Sequence, residues 1–138
     1  MTMQADGYRV PPTALVTVAQ DLTGAWADCG AEIQTDGYRY LGLYVNLDIN
    51  LSNDARIRVL AKRASTGDDE YVLPIKTVGA SDIKVEDSYY EFNDDADQKV
   101  FIPIELTNLI PFVQVQVMAG TVGGTAGQID SLYYTLGK

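Results

Sequence analysis

From Tyr40 to Ile49 the chain reads Y-L-G-L-Y-V-N-L-D-I, so Leu41, Leu43, Val45, Leu47 and Ile49 alternate without a fault with Tyr40, Gly42, Tyr44, Asn46 and Asp48. A two-residue period puts every one of those apolar side chains on one face of an extended strand, whereas the 3.6-residue period of a helix would spread them around its circumference. Such a strand cannot stand alone. Its apolar face needs a second layer to cover it, and its backbone N–H and C=O groups need neighbouring strands.

The rest of the chain supplies them. Thr13 to Ala19 is rich in β-branched residues and reads as a first strand; Gln20 to Gly30 reads as a loop pinned by a buried indole, Trp26. Ala31 to Gln34 adds a short strand, and Asp36-Gly37 is a turn that feeds directly into Tyr40. After Ile49 the turn-forming segment N-L-S-N-D leads to Arg56–Lys62, where Ile57, Val59 and Ala61 resume the apolar period. These two strands are expected to form a hairpin. That pairing would set Asn46 and Asp48 on the same outer face as Arg56, Arg58 and Lys62, where cross-strand charge pairs contribute roughly 0.2–1 kcal/mol each.

Further strands follow at Tyr71 to Lys76, Ile83 to Phe92, Lys99 to Leu106, Phe112 to Met118 and Gln128 to Leu136. Pro74 and Pro103 lack the N–H that a central strand donates, so their strands belong at a sheet edge or carry a bulge. In Phe112 to Met118, Val113, Val115 and Val117 oppose Gln114 and Gln116. About eight strands at short spacing, with no helical periodicity, fit an all-β sandwich or a closed barrel. Val10-Pro11-Pro12 ends an N-terminal stretch that cannot join a central strand. The expected organisation is an extended arm over residues 1–12 followed by one domain over residues 13–138, a length at which one compact unit is the default.

Chemistry is sparse. The chain has no histidine, which removes the commonest general base and zinc ligand, and its one cysteine, Cys29, forbids an intrachain disulfide. Cys29 is expected to be a small buried apolar residue. The formal net charge of −9 repels phosphate backbones and anionic membranes. The one basic cluster, Arg56, Arg58, Lys62 and Arg63, is better read as strand pairing than as a nucleic-acid site. No stretch reaches the roughly 20 apolar residues that a membrane span needs. M-T-M-Q-A-D-G-Y-R lacks the basic and apolar regions of a secretory signal, so residence in the cytoplasm where it is made is expected.

Asp94, Asp95 and Asp97 are weak candidates for a Ca²⁺ site, since they lack EF-hand spacing; a solvated connection is the simpler reading. The glycine-rich run from Gly120 to Gly127 has neither the lysine nor the following helix of a phosphate loop. Glu86, Glu91 and Glu105 are the carboxylates available to a glycosidase, but nothing in the sequence faces two of them across a cleft. The expectation is therefore that the chain is not an enzyme and carries no cofactor. Tyr40 and Tyr44 project from the outer face of the clearest strand, where an apolar ring with a polar tip suits a subunit interface, a sugar platform or ordinary cross-strand packing.

The stretches W-A-D-C-G-A-E-I-Q-T-D-G-Y-R-Y-L-G-L-Y-V-N-L-D-I-N (26–50), E-Y-V-L-P-I (70–75) and I-P-F-V-Q-V-Q-V-M-A-G-T-V-G (110–123) resemble small virion structural proteins of tailed bacteriophages, of the head-decoration type. The resemblance implies an antiparallel β-sandwich, of jelly-roll form, that decorates or stabilises a capsid in the virion by protein–protein contacts. Its implied partners are the major capsid protein and itself, as a homotrimer, with no nucleic acid and no membrane. It also implies that the N-terminal arm helps to anchor the protein. The candidate partner-binding residues are thus Arg9, Val10, Pro11 and Pro12 together with Tyr40 and Tyr44. The competing readings are a carbohydrate-binding β-sandwich that stacks sugars on Tyr40, Tyr44 or Trp26, and a tail-associated virion protein.

Overall fold

The computed structural model describes residues 9–49, 54–65, 69–73, 88–92, 98–120 and 127–138, and all of their regular structure is β. The strands are β1 (Arg9–Val16), β2 (Gln20–Asp21), β3 (Ala27–Asp28), β4 (Ile33–Gln34), β5 (Tyr40–Asp48), β6 (Ala55–Lys62), β7 (Glu70–Val72), β8 (Tyr90–Phe92), β9 (Gln98–Glu105), β10 (Phe112–Ala119) and β11 (Gln128–Gly137). They form two antiparallel sheets packed as a sandwich. The first has the order β1-β11-β5-β9, with β2 paired to β11; the second has the order β3-β10-β6-β7, with β4 on β10 and β8 on β6.

Burial follows the two-residue period of the sequence. In β5, Leu41, Leu43, Val45 and Leu47 are at most 2% exposed, and Ile49 follows them into the interior at 3%. From the same sheet Ile102, Ile104, Ile129, Leu132 and Leu136 join them, and Ile57, Val59, Val113, Val115 and Val117 meet them from the second sheet in one continuous core. Each side chain of this size contributes roughly 1.5–3 kcal/mol on burial, which is why the apolar faces dictate the layering. Cys29 lies in this core, as expected of a small apolar residue.

The expected hairpin between β5 and β6 does not form. β5 pairs with β11 and β9, and β6 pairs with β10, β7 and β8, so the chain crosses from one sheet to the other between them. Further crossings link β4 to β5, β8 to β9, β9 to β10 and β10 to β11. Turn-forming residues reverse the chain equally well within a sheet, over about 4.8 Å, or between sheets, over about 10 Å. Here the second route is taken, and it lets successive apolar faces oppose each other across the core.

Pro103, Pro11 and Pro12 sit where their missing donors cost nothing, and Pro74 lies outside the described residues. β9, with Pro103, is one edge of the first sheet, and β1 is the other. Pro11 and Pro12 fall in a register break of β1 between Val10 and Thr13, while Arg9 and Val10 pair with Gly137 and Leu136. The four residues 9–12 of the expected arm therefore belong to an edge strand. The Asp36-Gly37 turn is present: the Tyr38 N–H donates to the Thr35 carbonyl at 2.9 Å, and Gly37 adopts a φ of +85° that favours glycine.

Candidate functional site

The two outer faces of the sandwich differ. On the second sheet, polar side chains are consumed by one another. The Arg58 guanidinium donates to Gln116 Oε1 at 2.9 Å from Nε and 2.6 Å from its terminal nitrogen, and Gln116 in turn donates to Asp28 Oδ1 at 2.9 Å. Arg58 also lies over the Trp26 ring, 4.3 Å from its centroid, and the Tyr89 ring stands tilted against it with centroids 5.9 Å apart. Burial pulls the Arg58 pKa below its ordinary value, with the Glu70 charge opposing. Arg56 donates to Glu91 at 2.8 Å and covers Tyr89. Lys62 donates to Glu32 at 2.7 Å, a hydrogen bond that holds its pKa above the usual lysine value. Arg56, Arg58 and Lys62 are thus paired with neighbouring side chains, but with partners other than the expected Asn46 and Asp48.

Trp26 is half-buried on this outer surface rather than enclosed by the core, and Arg58 and Tyr89 occupy its ring. A sugar stacking on the ring face that Arg58 covers would have to displace a guanidinium that is itself hydrogen-bonded.

The outer face of the first sheet is built differently. Register places its side chains in four rows across the strands. The first row is Glu105, Tyr40, Gly137 and Arg9; the second is Pro103, Gly42 and Thr135; the third is Phe101, Tyr44, Tyr133 and Ala14; the fourth is Lys99, Asn46 and Ser131. Phe101, Tyr40, Tyr44 and Tyr133 are 51%, 47%, 46% and 39% exposed. Tyr44 and Phe101, directly opposed on β5 and β9, tilt against each other with centroids 4.8 Å apart. Four large, half-exposed rings therefore share one sheet face.

Gly42 shapes that patch. A Cβ on it would lie 2.7 Å from the Phe101 ring and 2.9 Å from the Thr135 methyl, so only glycine lets Phe101 lie flat across the second row. The result is a groove of about 470 Å³ with Gly42, Pro103 and Thr135 among its lining, Tyr40 and Phe101 beside them, and Arg9 and Glu105 at its ends. A second concavity of about 370 Å³ adjoins it on the far side of Phe101, between Tyr44, Tyr133, Asn46 and Lys99. Both are shallow depressions in an open sheet.

Of the candidate partner-binding residues, Arg9 and Tyr40 line the same groove, and Tyr44 stands behind the Phe101 ridge. Val10 turns its side chain toward the core, and Pro11 and Pro12 are exposed at the β1 edge. Asp94, Asp95 and Asp97 lie outside the described residues, as do 121–126 of the glycine-rich run; among the described residues no cluster of acidic or cysteine side chains is arranged to hold a metal. Phe101 and Tyr133 were not singled out by the sequence, although Phe101 occupies the outward register of β9 between Val100 and Ile102. A phenylalanine on the polar side of an alternating strand has no hydroxyl to solvate, and that was the available signal. No protein-family model matches the chain, and no curated protein is similar to it in sequence.

Proposed function

We propose that this chain is a non-enzymatic structural protein that works by protein–protein contact through the outer face of its first sheet. The observation that carries this reading is the row of exposed rings, Phe101, Tyr44 and Tyr133, with Tyr40 beside it, on an outer face where, among the described residues, the side-chain pairing of Gln128 with Asp48 and Asp130 lies beyond the aromatic rows. Aromatic side chains are enriched in interfaces because they bury a large area at little entropic cost. Placement in a tailed-phage virion, as a capsid-decorating protein, rests on the resemblance of stretches 26–50, 70–75 and 110–123 to such proteins.

We also infer that the sandwich is a jelly roll. The supporting observation is the interleaved order, β1-β11-β5-β9 facing β3-β10-β6-β7, in which the terminal strands pair with each other and the long strands from β5 onward alternate between sheets.

Co-sedimentation with purified heads and with purified tails of the virus that encodes the chain tests the reading. The wild-type protein is expected to sediment with heads, and a Tyr44→Thr/Phe101→Thr variant of unchanged circular dichroism is expected to remain in the supernatant. Binding to tails alone moves the assignment to the tail. Binding to neither, or full binding by the variant, overturns the proposal. A second reading, a carbohydrate-binding module, draws on Tyr40 and Phe101 flanking a groove that also offers Arg9, Glu105 and Thr135 as polar partners. A glycan array on which wild type binds and the same variant does not would select it.

A further inference from the structure

The four rows of the first sheet have a property that single residues do not show. The first three, read backwards, complement themselves. The first row runs Glu105, Tyr40, Gly137, Arg9 from β9 to β1; reversed, it sets Arg9 against Glu105 and Gly137 against Tyr40. In the second row reversal sets Thr135 against Gly42, and in the third it sets Ala14 against Phe101 and Tyr133 against Tyr44. Acid meets base, large meets small, and ring meets ring.

Reversal of every row at once is the operation of a two-fold axis that runs along the strands, midway between β11 and β5. We propose that the outer face of the first sheet is an isologous interface, on which a second copy of this chain packs sheet against sheet about that axis. The inference rests on the preceding reading of this face as a protein-contact surface and names its occupant. In an isologous contact each complementary pair occurs twice. Two Arg9–Glu105 pairs would close the ends of the groove, and each Tyr40 would enter the depression over the partner's Gly137.

Two further observations support a protein occupant with this charge pattern. Neither Arg9 nor Glu105 has an ion-pair partner among the described residues, whereas Arg56 and Lys62 on the other sheet are paired. Aligned sheets cross at about 30°, which offsets an outer row about 10 Å from the centre of the face by about 5 Å, a distance that long Arg and Glu side chains together span.

The size of the face sets the strength. Four strands at about 4.8 Å and seven residues at about 3.3 Å cover roughly 400 Å² per copy, below the roughly 800 Å² of a standard interface. The dimer is accordingly weak, with a dissociation constant in the micromolar range or above. The net charge of −9 on each copy opposes it further at low ionic strength. Such an isologous contact closes at two copies and does not build the trimer implied by the resemblance.

Sedimentation equilibrium of the full chain at physiological ionic strength, from about 5 to about 500 µM, brackets the affinity of so small an interface. A monomer–dimer equilibrium is expected. Arg9→Glu should weaken it by about tenfold or more, because two attractions become two repulsions. Arg9→Glu/Glu105→Arg, which swaps the charges, should restore it to within about threefold. Lys99→Glu makes the same charge change away from the paired ends and should alter it less than about threefold. A monomer throughout, a trimer, failure of the charge swap to rescue, or a Lys99→Glu loss equal to that of Arg9→Glu overturns the inference. If it fails while Tyr44→Thr/Phe101→Thr still abolishes binding to particles, the protein-contact reading stands and its occupant is a different protein. All these side chains are at the surface, so circular dichroism should be unchanged in every variant.

Discussion

Adjacent residues on β5 should behave as if they belonged to different proteins. Leu43 is fully buried, its inward neighbours being Leu41 and Val45, and Leu43→Ala leaves a cavity in the middle of the core. Substitutions of this kind cost about 2–5 kcal/mol, through lost transfer energy plus the unfilled volume. At roughly 4 °C per kcal/mol for a domain near this size, the melting temperature should fall by about 8–20 °C. Tyr44, one residue on, is 46% exposed, and its ring contact is with Phe101 at 4.8 Å. Tyr44→Thr keeps a β-branched residue in the strand and forfeits that contact, about 0.5–1.5 kcal/mol, so the fall should be about 2–6 °C. Function should reverse the order: Leu43→Ala retains particle binding below its melting temperature, and Tyr44→Thr loses it. Urea titration followed by circular dichroism, with Trp26 fluorescence as a second probe, measures both stabilities. Equal costs for the two substitutions, or a Leu43→Ala cost within about 0.5 kcal/mol of zero, would refute the assignment of faces on which the proposed site depends.

Three further outcomes test other parts of the structure. Burial pushes the Cys29 thiol up to about 12 from an ordinary 9.0, so the unfolded chain releases this proton first; the contribution is fully present below pH 9 and is lost as pH rises toward 12. Stability measured between pH 9 and 11 should therefore fall by up to about 1.4 kcal/mol per pH unit from this group, and Cys29→Ala should flatten that slope whatever its cost at pH 7. Arg58→Met and Gln116→Met should each destabilise by about 1–3 kcal/mol, since each strands a polar partner, and their double-mutant cycle should show coupling of about 0.5–3 kcal/mol in chemical denaturation. Gly30, at φ +77°, would place a Cβ 2.8 Å from the Leu15 carbonyl oxygen and against its side chain, whereas Gly37, at φ +85°, has nothing within 4 Å. Gly37→Ala should cost about 1 kcal/mol from backbone strain alone and Gly30→Ala clearly more, as thermal melts of the two variants would show.

The faces of the strands were legible because they are local. Leu41 to Ile49, Ile57 and Val59, Ile102 and Ile104, and Val113 to Val117 each carry their inward side in a two-residue period, and all of them are buried. The edge placement of Pro103 was legible for the same reason, since a missing N–H is a property of one residue. The pairing of β5 was not legible. N-L-S-N-D announces that the chain turns, but whether the next strand lies beside β5 or opposite it depends on Val113, Val115 and Val117, more than fifty residues further on, whose apolar face claims β6 as a neighbour. The same non-locality hid the partners of the basic cluster: Glu91, Gln116 and Glu32 reach Arg56, Arg58 and Lys62 only once β8, β10 and the segment before β4 have been placed.

The contrast between the two outer faces follows from that topology. The residues between β1 and β5 contribute β3 and β4 to the second sheet, pairing with opposite ends of β10, and they bring Trp26, Asp28 and Glu32 over its outer surface. Gln114 and Gln116 are buried there at 6% and 9% exposure, and Gln114 donates to the Gly30 carbonyl at 3.1 Å. Among the described residues, no comparable cover reaches the middle of the first sheet. The described cross-strand neighbours of β5 are β9 and β11 themselves, and the outward rings of Phe101, Tyr44 and Tyr133 remain half exposed. Burying them against a partner would recover part of the roughly 25 cal/mol per Å² that their exposure forgoes, while the second sheet would have to break internal hydrogen bonds before it could offer a comparable surface. Energetics therefore favours the first sheet over the second as the proposed contact face.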